Sequence, residues 1–190
     1  MGQRMFVAVV PPEQVRDDLA AFLEAREGMP WIAPEQWHLT LAFCAAIPEH
    51  RIDELGERLA TKAAKLSPFP ATLVGAGTFP HPARACVLWA GVPTPADELA
   101  RLSAKARAAM SSAGGAPDGK RFTPHLTLAR LRRPIEATRW LRILDTYQGP
   151  SWVVEHIELV ASHLREGPSG RPRHETVARV PLRGVGGVDE

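Results

Sequence analysis

The chain has 190 residues, 45% of them hydrophobic, and 23 Lys and Arg against 21 Asp and Glu leave a formal net charge of +2. This is one compact domain, or two intimate lobes, with enough apolar side chains for a real core and too little net charge to hold a polyanion by bulk attraction. Its two cysteines, Cys44 and Cys86, exclude a disulfide framework and a four-thiolate zinc site, and read as buried free thiols.

Residues 5–10 form a short Val-rich run stopped by Pro11-Pro12, which reads as a buried strand. Val15, Leu19, Phe22 and Leu23 then recur at helical spacing over 12–26. A strand is predicted at 37–43, and a second amphipathic helix over 49–66 carries Ile52, Leu55, Leu59 and Ala63. Residues 71–79 read as a strand loosened by Gly75 and Gly77. The pattern then restarts. A strand at 85–92 ends at Pro93, and an Ala-rich helix with Leu99, Leu102 and Ala106 on one face runs to about Ser112. A Gly-rich loop follows, then a strand at 125–131 and a helix beginning at Pro134 with Trp140, Leu141 and Leu144. Strands at 152–161 and 175–182 close the chain, and 184–190 reads as a frayed tail. No apolar stretch approaches ~20 residues and residues 1–10 lack the long apolar region of a signal peptide, so a soluble, cytoplasmic protein is expected.

Both halves therefore read strand, helix, strand, helix, strand, with the repeat boundary near 80–85. The third element of each carries the same tetrapeptide: His38-Leu39-Thr40-Leu41 and His125-Leu126-Thr127-Leu128, 87 positions apart. The expected fold is α+β: two pseudo-symmetric, interleaved lobes, each an antiparallel sheet with helices packed outside and a cleft between them.

On a strand, residues i and i+2 share a face. His38 and Thr40 point one way and Leu39 and Leu41 the other; His125, Thr127, Leu126 and Leu128 repeat the arrangement. One neutral imidazole can take a proton from water, one imidazolium can give a proton to a leaving alkoxide, and two hydroxyls can hold phosphate oxygens. Two histidines underfill a zinc shell and neither motif brings a carboxylate or thiolate at ligand spacing, so neither metal nor cofactor is expected.

At these residues the sequence resembles the 2H phosphoesterase superfamily, and within it the RNA 2′,3′-cyclic phosphodiesterases, also known as 2′-5′ RNA ligases. The likeness runs through Met5-Phe-Val-Ala-Val-Val-Pro-Pro12, Trp37-His-Leu-Thr-Leu-Ala-Phe43, Gly75-Ala-Gly-Thr-Phe-Pro80, Val87-Leu-Trp-Ala-Gly-Val92, Arg121-Phe-Thr-Pro-His-Leu-Thr-Leu-Ala-Arg130 and Ser162-His-Leu164. It implies a single 2H phosphoesterase domain over 1–190 and metal-independent hydrolysis of RNA 2′,3′-cyclic phosphate ends to 2′-phosphates. His38 would be the proton donor, His125 the acceptor, and Thr40 and Thr127 the phosphate holders. Small cyclic nucleotides or 2′-5′-linked oligonucleotides as substrates, reverse ligation, and an idle RNA-end binder are the alternative readings. The partner that the resemblance implies is RNA with a 2′,3′-cyclic phosphate terminus or a cyclic nucleotide, and the protein is expected to be a monomer. Two departures stand out. Phe43-Cys44-Ala45 follows the first motif where the family often has Phe-Leu-Gly. Near the C-terminus, His174 in Gly170-Arg-Pro-Arg-His174 takes the place of a usual tyrosine.

Arg130 is a further phosphate-binding candidate. Strict alternation sets it with Leu126 and Leu128, so it reaches a cleft only through a bulge or at the strand's end. Lys120, Arg121, Arg132 and Arg133 form a basic rim, read as solvated edge or RNA guide. Phe43, Phe122, Trp37 and Trp89 are stacking candidates, with core packing preferred for Phe43 and Trp89. His50, His81, His156, His163 and His174 read as solitary surface or loop residues.

Overall fold

The computed structural model describes residues 2–167, 170 and 172–184. Nine strands and four helices follow in the order β1 (Gly2–Val9), α1 (Glu13–Glu24), β2 (Leu39–Pro48), α2 (Ile52–Ala63), β3 (Phe69–Ala71), β4 (Ala76–Phe79), β5 (Ala85–Gly91), α3 (Glu98–Ser112), β6 (His125–Ile135), α4 (Thr138–Leu144), β7 (Trp152–Val154), β8 (His156–His163) and β9 (Arg173–Pro181). All described pairings are antiparallel. Among the described residues no helix is long and apolar enough to cross a membrane.

Two sheets carry the architecture. One runs β2-β1-β8-β9, the other β4-β5-β6; β3 and β7 form a separate ribbon. Taken from the motif strand, the first reads β2, β1, β8 and the second β6, β5, β4. Each begins with the motif strand of one half, continues with that half's first strand, and ends with a strand donated by the other half. The repeats are thus interlocked. Among the described strands only β9 lacks a counterpart, so the pseudo-two-fold is broken at the outer edge of the first sheet.

The helices cover the outer faces by the periodicity that predicts them. Val15, Leu19 and Leu23 of α1, Leu55, Leu59 and Ala63 of α2, and Leu99, Leu102, Ala106 and Met110 of α3 are buried. They face the leucines of both motifs in a shared core that includes Leu39, Leu41, Leu126 and Leu128. At about 25 cal/mol per Å² of apolar area, these stripes rather than helix propensity hold the helices in place.

Four sequence expectations are corrected. The strand predicted at 71–79 is two, because Gly75 sits at φ +76° and turns the chain between β3 and β4. The strand predicted at 152–161 divides at Glu155, so that β7 pairs with β3 and β8 with β1 and β9. Pro134 does not start a helix. It lies in β6, an edge strand, where a missing N–H removes no central ladder bond, and α4 begins at Thr138, whose N–H is taken by the Glu136 carboxylate at 3.0 Å. Cys44 is buried, but Cys86 is partly exposed. The expected tail, 184–190, lies outside the described residues except for Gly184, whose N–H donates to the Leu66 carbonyl at 2.9 Å.

Candidate active site

The two motif strands belong to different sheets yet run close together, and the faces bearing His and Thr open on one cleft of about 1310 Å³. His38, Thr40, His125, Thr127 and Arg130 all line it. The opposite residues, Leu39, Leu41, Leu126 and Leu128, are buried in the core.

Arg130 reaches the cleft because β6 bulges. Trp89 pairs with Thr127 and Leu88 with Ala129, so Leu128 is an extra residue without a partner in β5. Leu128 and Ala129 are both buried, the alternation changes phase, and Arg130 emerges on the face of His125 and Thr127. The same device operates in β2. Ala8 pairs with Thr40 and Val7 with Ala42, so Leu41 is extra, Leu41 and Ala42 are both buried, and Phe43 turns into the cleft.

Each bulge diverts a leucine carbonyl, and each carbonyl finds a donor elsewhere. The Ser103 hydroxyl of α3 donates to Leu41 O at 2.5 Å, and the Ile32 N–H donates to Leu128 O at 2.8 Å. This explains a fully buried serine on the apolar face of α3.

The two imidazoles are held alike. His38 Nδ1 lies 2.7 Å from the Gln36 carbonyl, and His125 Nδ1 lies 2.7 Å from the Thr123 carbonyl. A carbonyl only accepts, so Nδ1 carries the proton in both rings and Nε2 is left for the cleft. Aromatic neighbours fix the ring planes. His38 stacks on Phe6 with centroids 4.8 Å apart and an angle of 26°. His125 meets Phe79 edge-on at 5.0 Å and Trp89 at 5.9 Å. Trp89 lies across Gly77, where an added Cβ would stand 2.0 Å from the indole, so only glycine leaves this ring its place.

Both histidines are held below their ordinary range. Burial lowers His38 to about 4, with His174, Arg130 and His125 adding positive charge nearby, against the Gln36 carbonyl, which favours the charged ring. Burial also lowers His125, with Arg130 contributing. Burial therefore favours the neutral form of both rings near pH 7.

Three expectations change here. Phe43 and Trp89 are not core residues: both are partly exposed, Phe43 in the cleft wall under the Arg4 guanidinium at 4.3 Å, Trp89 against His125. Phe122 also lines the cleft, whereas Trp37 is buried. His174 is not a solitary surface residue. It lines the cleft from β9, 5.4 Å from the His38 ring. His50 and His81 are exposed, while His156 and His163 stand at the ends of β8, His163 paired with Glu175 at 3.0 Å. The sequence carries no local signal that brings the far edge strand over the first motif.

A family model described as the 2′-5′ RNA ligase superfamily matches residues 11–166. The chain belongs to the 2′-5′ RNA ligase superfamily. Within this superfamily it is 35% identical, over 81% of its own length and 90% of the relative's, to an Aeropyrum pernix protein named RNA 2′,3′-cyclic phosphodiesterase. A Thermus thermophilus protein of the same name is 34% identical over 98% of this chain and 94% of its own. The fold also matches E. coli LigT in complex with 3′-AMP, with a TM-score of 0.75, 26% identity, and coverage of 96% of this chain and 99% of LigT. Among the described residues of this superfamily member, no group of three or more His, Cys, Asp or Glu side chains is placed to hold a metal ion.

Proposed function

We propose that this protein hydrolyses the 2′,3′-cyclic phosphate at the end of an RNA strand to a 2′-phosphate. The observation that carries this reading is the matched pair of imidazoles, each anchored through Nδ1 and facing one cleft with Thr40, Thr127 and Arg130. The names of the Aeropyrum and Thermus relatives point to the same reaction.

In the proposed step, His125 Nε2 takes a proton from water as its oxygen bonds to phosphorus. The bond from phosphorus to the 3′ oxygen breaks, and His38 gives that oxygen a proton. Charge that builds on the non-bridging oxygens meets the Thr40 and Thr127 hydroxyls and the Arg130 guanidinium. The histidines finish with their protons exchanged and reset through solvent. No metal enters this scheme.

Phe43 supports the assignment of His38 as donor. It stands on β2, five residues beyond His38, which immediately precedes the strand, and offers a ring face for the terminal base. A base seated there sets the ribose, and with it the leaving 3′ oxygen, on the His38 side. Water then enters from the His125 side. Although burial favours the neutral His38 ring, one phosphate charge ~4 Å away contributes about 4 kcal/mol at an effective dielectric of 20, nearly a thousandfold in proton affinity. The substrate thereby arms its own acid.

RNA fits the cleft better than a mononucleotide does. Arg4, Arg107, Lys120, Arg121, Arg132 and Arg133 line it in addition to Arg130, and Asp118, paired with Arg107 at 3.5 Å, is the acidic residue among the lining groups. The test is incubation with an RNA ending in a 2′,3′-cyclic phosphate in the presence of EDTA. A 2′-phosphate product is expected, with His38→Ala and His125→Ala each slower by roughly 10²–10⁴. A 3′-phosphate product reverses the donor assignment, and loss of activity in EDTA removes the metal-free mechanism.

A further inference from the structure

His174 is the third imidazole in the cleft, and it has no mate in the other half. It stands on β9, the strand without a counterpart, and its ring reaches over the sheet to meet Phe6 edge-on at 5.0 Å and His38 at 5.4 Å. Phe6 and His38 stack, so rings from β1, β9 and the residue just ahead of β2 form one cluster at the His38 end of the cleft. A packing role alone would suit an apolar ring. His174 instead presents two ring nitrogens, and neither has a hydrogen-bond partner in the protein among the described residues. Its flanking side chains are engaged elsewhere: Arg173 with Glu166 and Glu175, and Glu175 also with His163.

We propose that His174 is a substrate-contacting residue that donates a hydrogen bond to the phosphate bound beside His38. This rests on the phosphodiesterase reading above and adds to it a ligand that the two motifs do not contain. The charged and titratable groups that share the cleft with His174 are Arg4 on β1, His38 ahead of β2, Arg107 on α3, Asp118, Lys120 and Arg121 in the loop after it, and His125, Arg130, Arg132 and Arg133 on β6. All but Asp118 are basic, and Asp118 is paired with Arg107 at 3.5 Å. Ser162 on β8, opposite His174 in the register, is uncharged and also lines the cleft. An anion is the ligand that this company favours. Burial lowers His174, and a bound phosphate opposes that preference and turns a neutral donor into a charged one.

Two variants of the full chain test this: His174→Phe keeps a ring against Phe6 and His38 without an N–H, and His174→Gln keeps a donor that cannot charge. The measurements are calorimetric binding of adenosine 2′-monophosphate and steady-state turnover of an RNA ending in a 2′,3′-cyclic phosphate, between pH 6 and 8.5. At pH 6, His174→Phe should weaken binding and raise KM by roughly ten- to a hundredfold, with a smaller change in kcat. His174→Gln should fall between, and the gap should narrow severalfold by pH 8.5. Wild-type affinity in His174→Phe at pH 6, or a loss confined to kcat, overturns the proposal. A wild-type protein that binds the 2′-monophosphate through His174 yet turns over no cyclic phosphate leaves this contact standing and removes the phosphodiesterase reading instead.

Discussion

Phe43 and Arg130 occupy the same place in the two halves of the molecule, each five residues beyond a motif histidine and each turned into the cleft by a bulge at the motif's second leucine. The histidines and threonines are symmetric; this position is not. One half offers a π face and the other a guanidinium, so on the proposed reading the cleft has a base end and a phosphate end. Phe43→Ala should therefore raise KM for a cyclic-phosphate RNA by roughly five- to a hundredfold, the range of base–aromatic stacking, with little change in kcat. Arg130→Gln should lower kcat by roughly ten- to a hundredfold, as loss of a charge-assisted bond to the reacting phosphate requires. Steady-state kinetics of the two variants side by side check this, and the opposite split would exchange their roles.

Ser103 lies at the root of the Phe43 position. Its hydroxyl is the donor to the Leu41 carbonyl that the bulge displaces from the ladder, and it is 1% exposed. Ser103→Ala leaves that carbonyl without a partner where water does not reach, at a cost of about 1–3 kcal/mol. The expected result is a lower midpoint in urea with an unchanged m-value. A rise in KM should accompany it, since Phe43 follows the bulge. Unchanged stability would mean that the carbonyl is satisfied by other means.

Alternation alone makes the pairing of His with Thr, and of Leu with Leu, legible from residue order. The same rule places Arg130 with the leucines, and it fails there because a bulge leaves little mark in residue type: Leu128-Ala129 and Leu41-Ala42 are consecutive apolar pairs that read equally well as strand. The helices were legible because Leu19, Leu55, Leu102 and their neighbours carry a 3.6-residue period whatever they pack against. The strand breaks at Gly75 and Glu155 were blurred, since strand composition continues through both and the change of partner is a tertiary event. His174 was illegible as a site residue for the same reason, because its meeting with His38 spans 136 positions and depends on β9 joining the sheet.

The neutral state of the buried histidines makes the fold sensitive to acid. His38 is lowered to about 4 and His125 is lowered as well, whereas both take protons near 6.5 once unfolded. Below about pH 6.5 the unfolded chain binds protons that the folded chain refuses, so stability is full above that pH and falls towards pH 4. His38→Gln removes the largest of these differences. Its thermal midpoint should decline less between pH 6.5 and 4.5 than that of the wild type, and identical slopes would show that His38 takes up its proton without strain on the fold.

The same protonation is linked to ligand binding and to salt. A phosphate that charges His38 must take up a proton between pH 4 and the pH at which the bound ring titrates, so the affinity for a 2′-phosphate product should fall as pH rises through neutrality. Calorimetry in buffers of different ionisation enthalpy measures that proton directly. Salt separates this local event from the basic rim. If Lys120, Arg121, Arg132 and Arg133 follow an RNA backbone, about three or four phosphates are neutralised beyond the reacting one, and log kcat/KM for an RNA substrate should fall with log salt at a slope of about −2 to −3. A cyclic mononucleotide, which reaches only the centre, should show a slope shallower than −1. Equal slopes for the two substrates would confine recognition to the terminal nucleotide and return the rim to the role of a solvated edge.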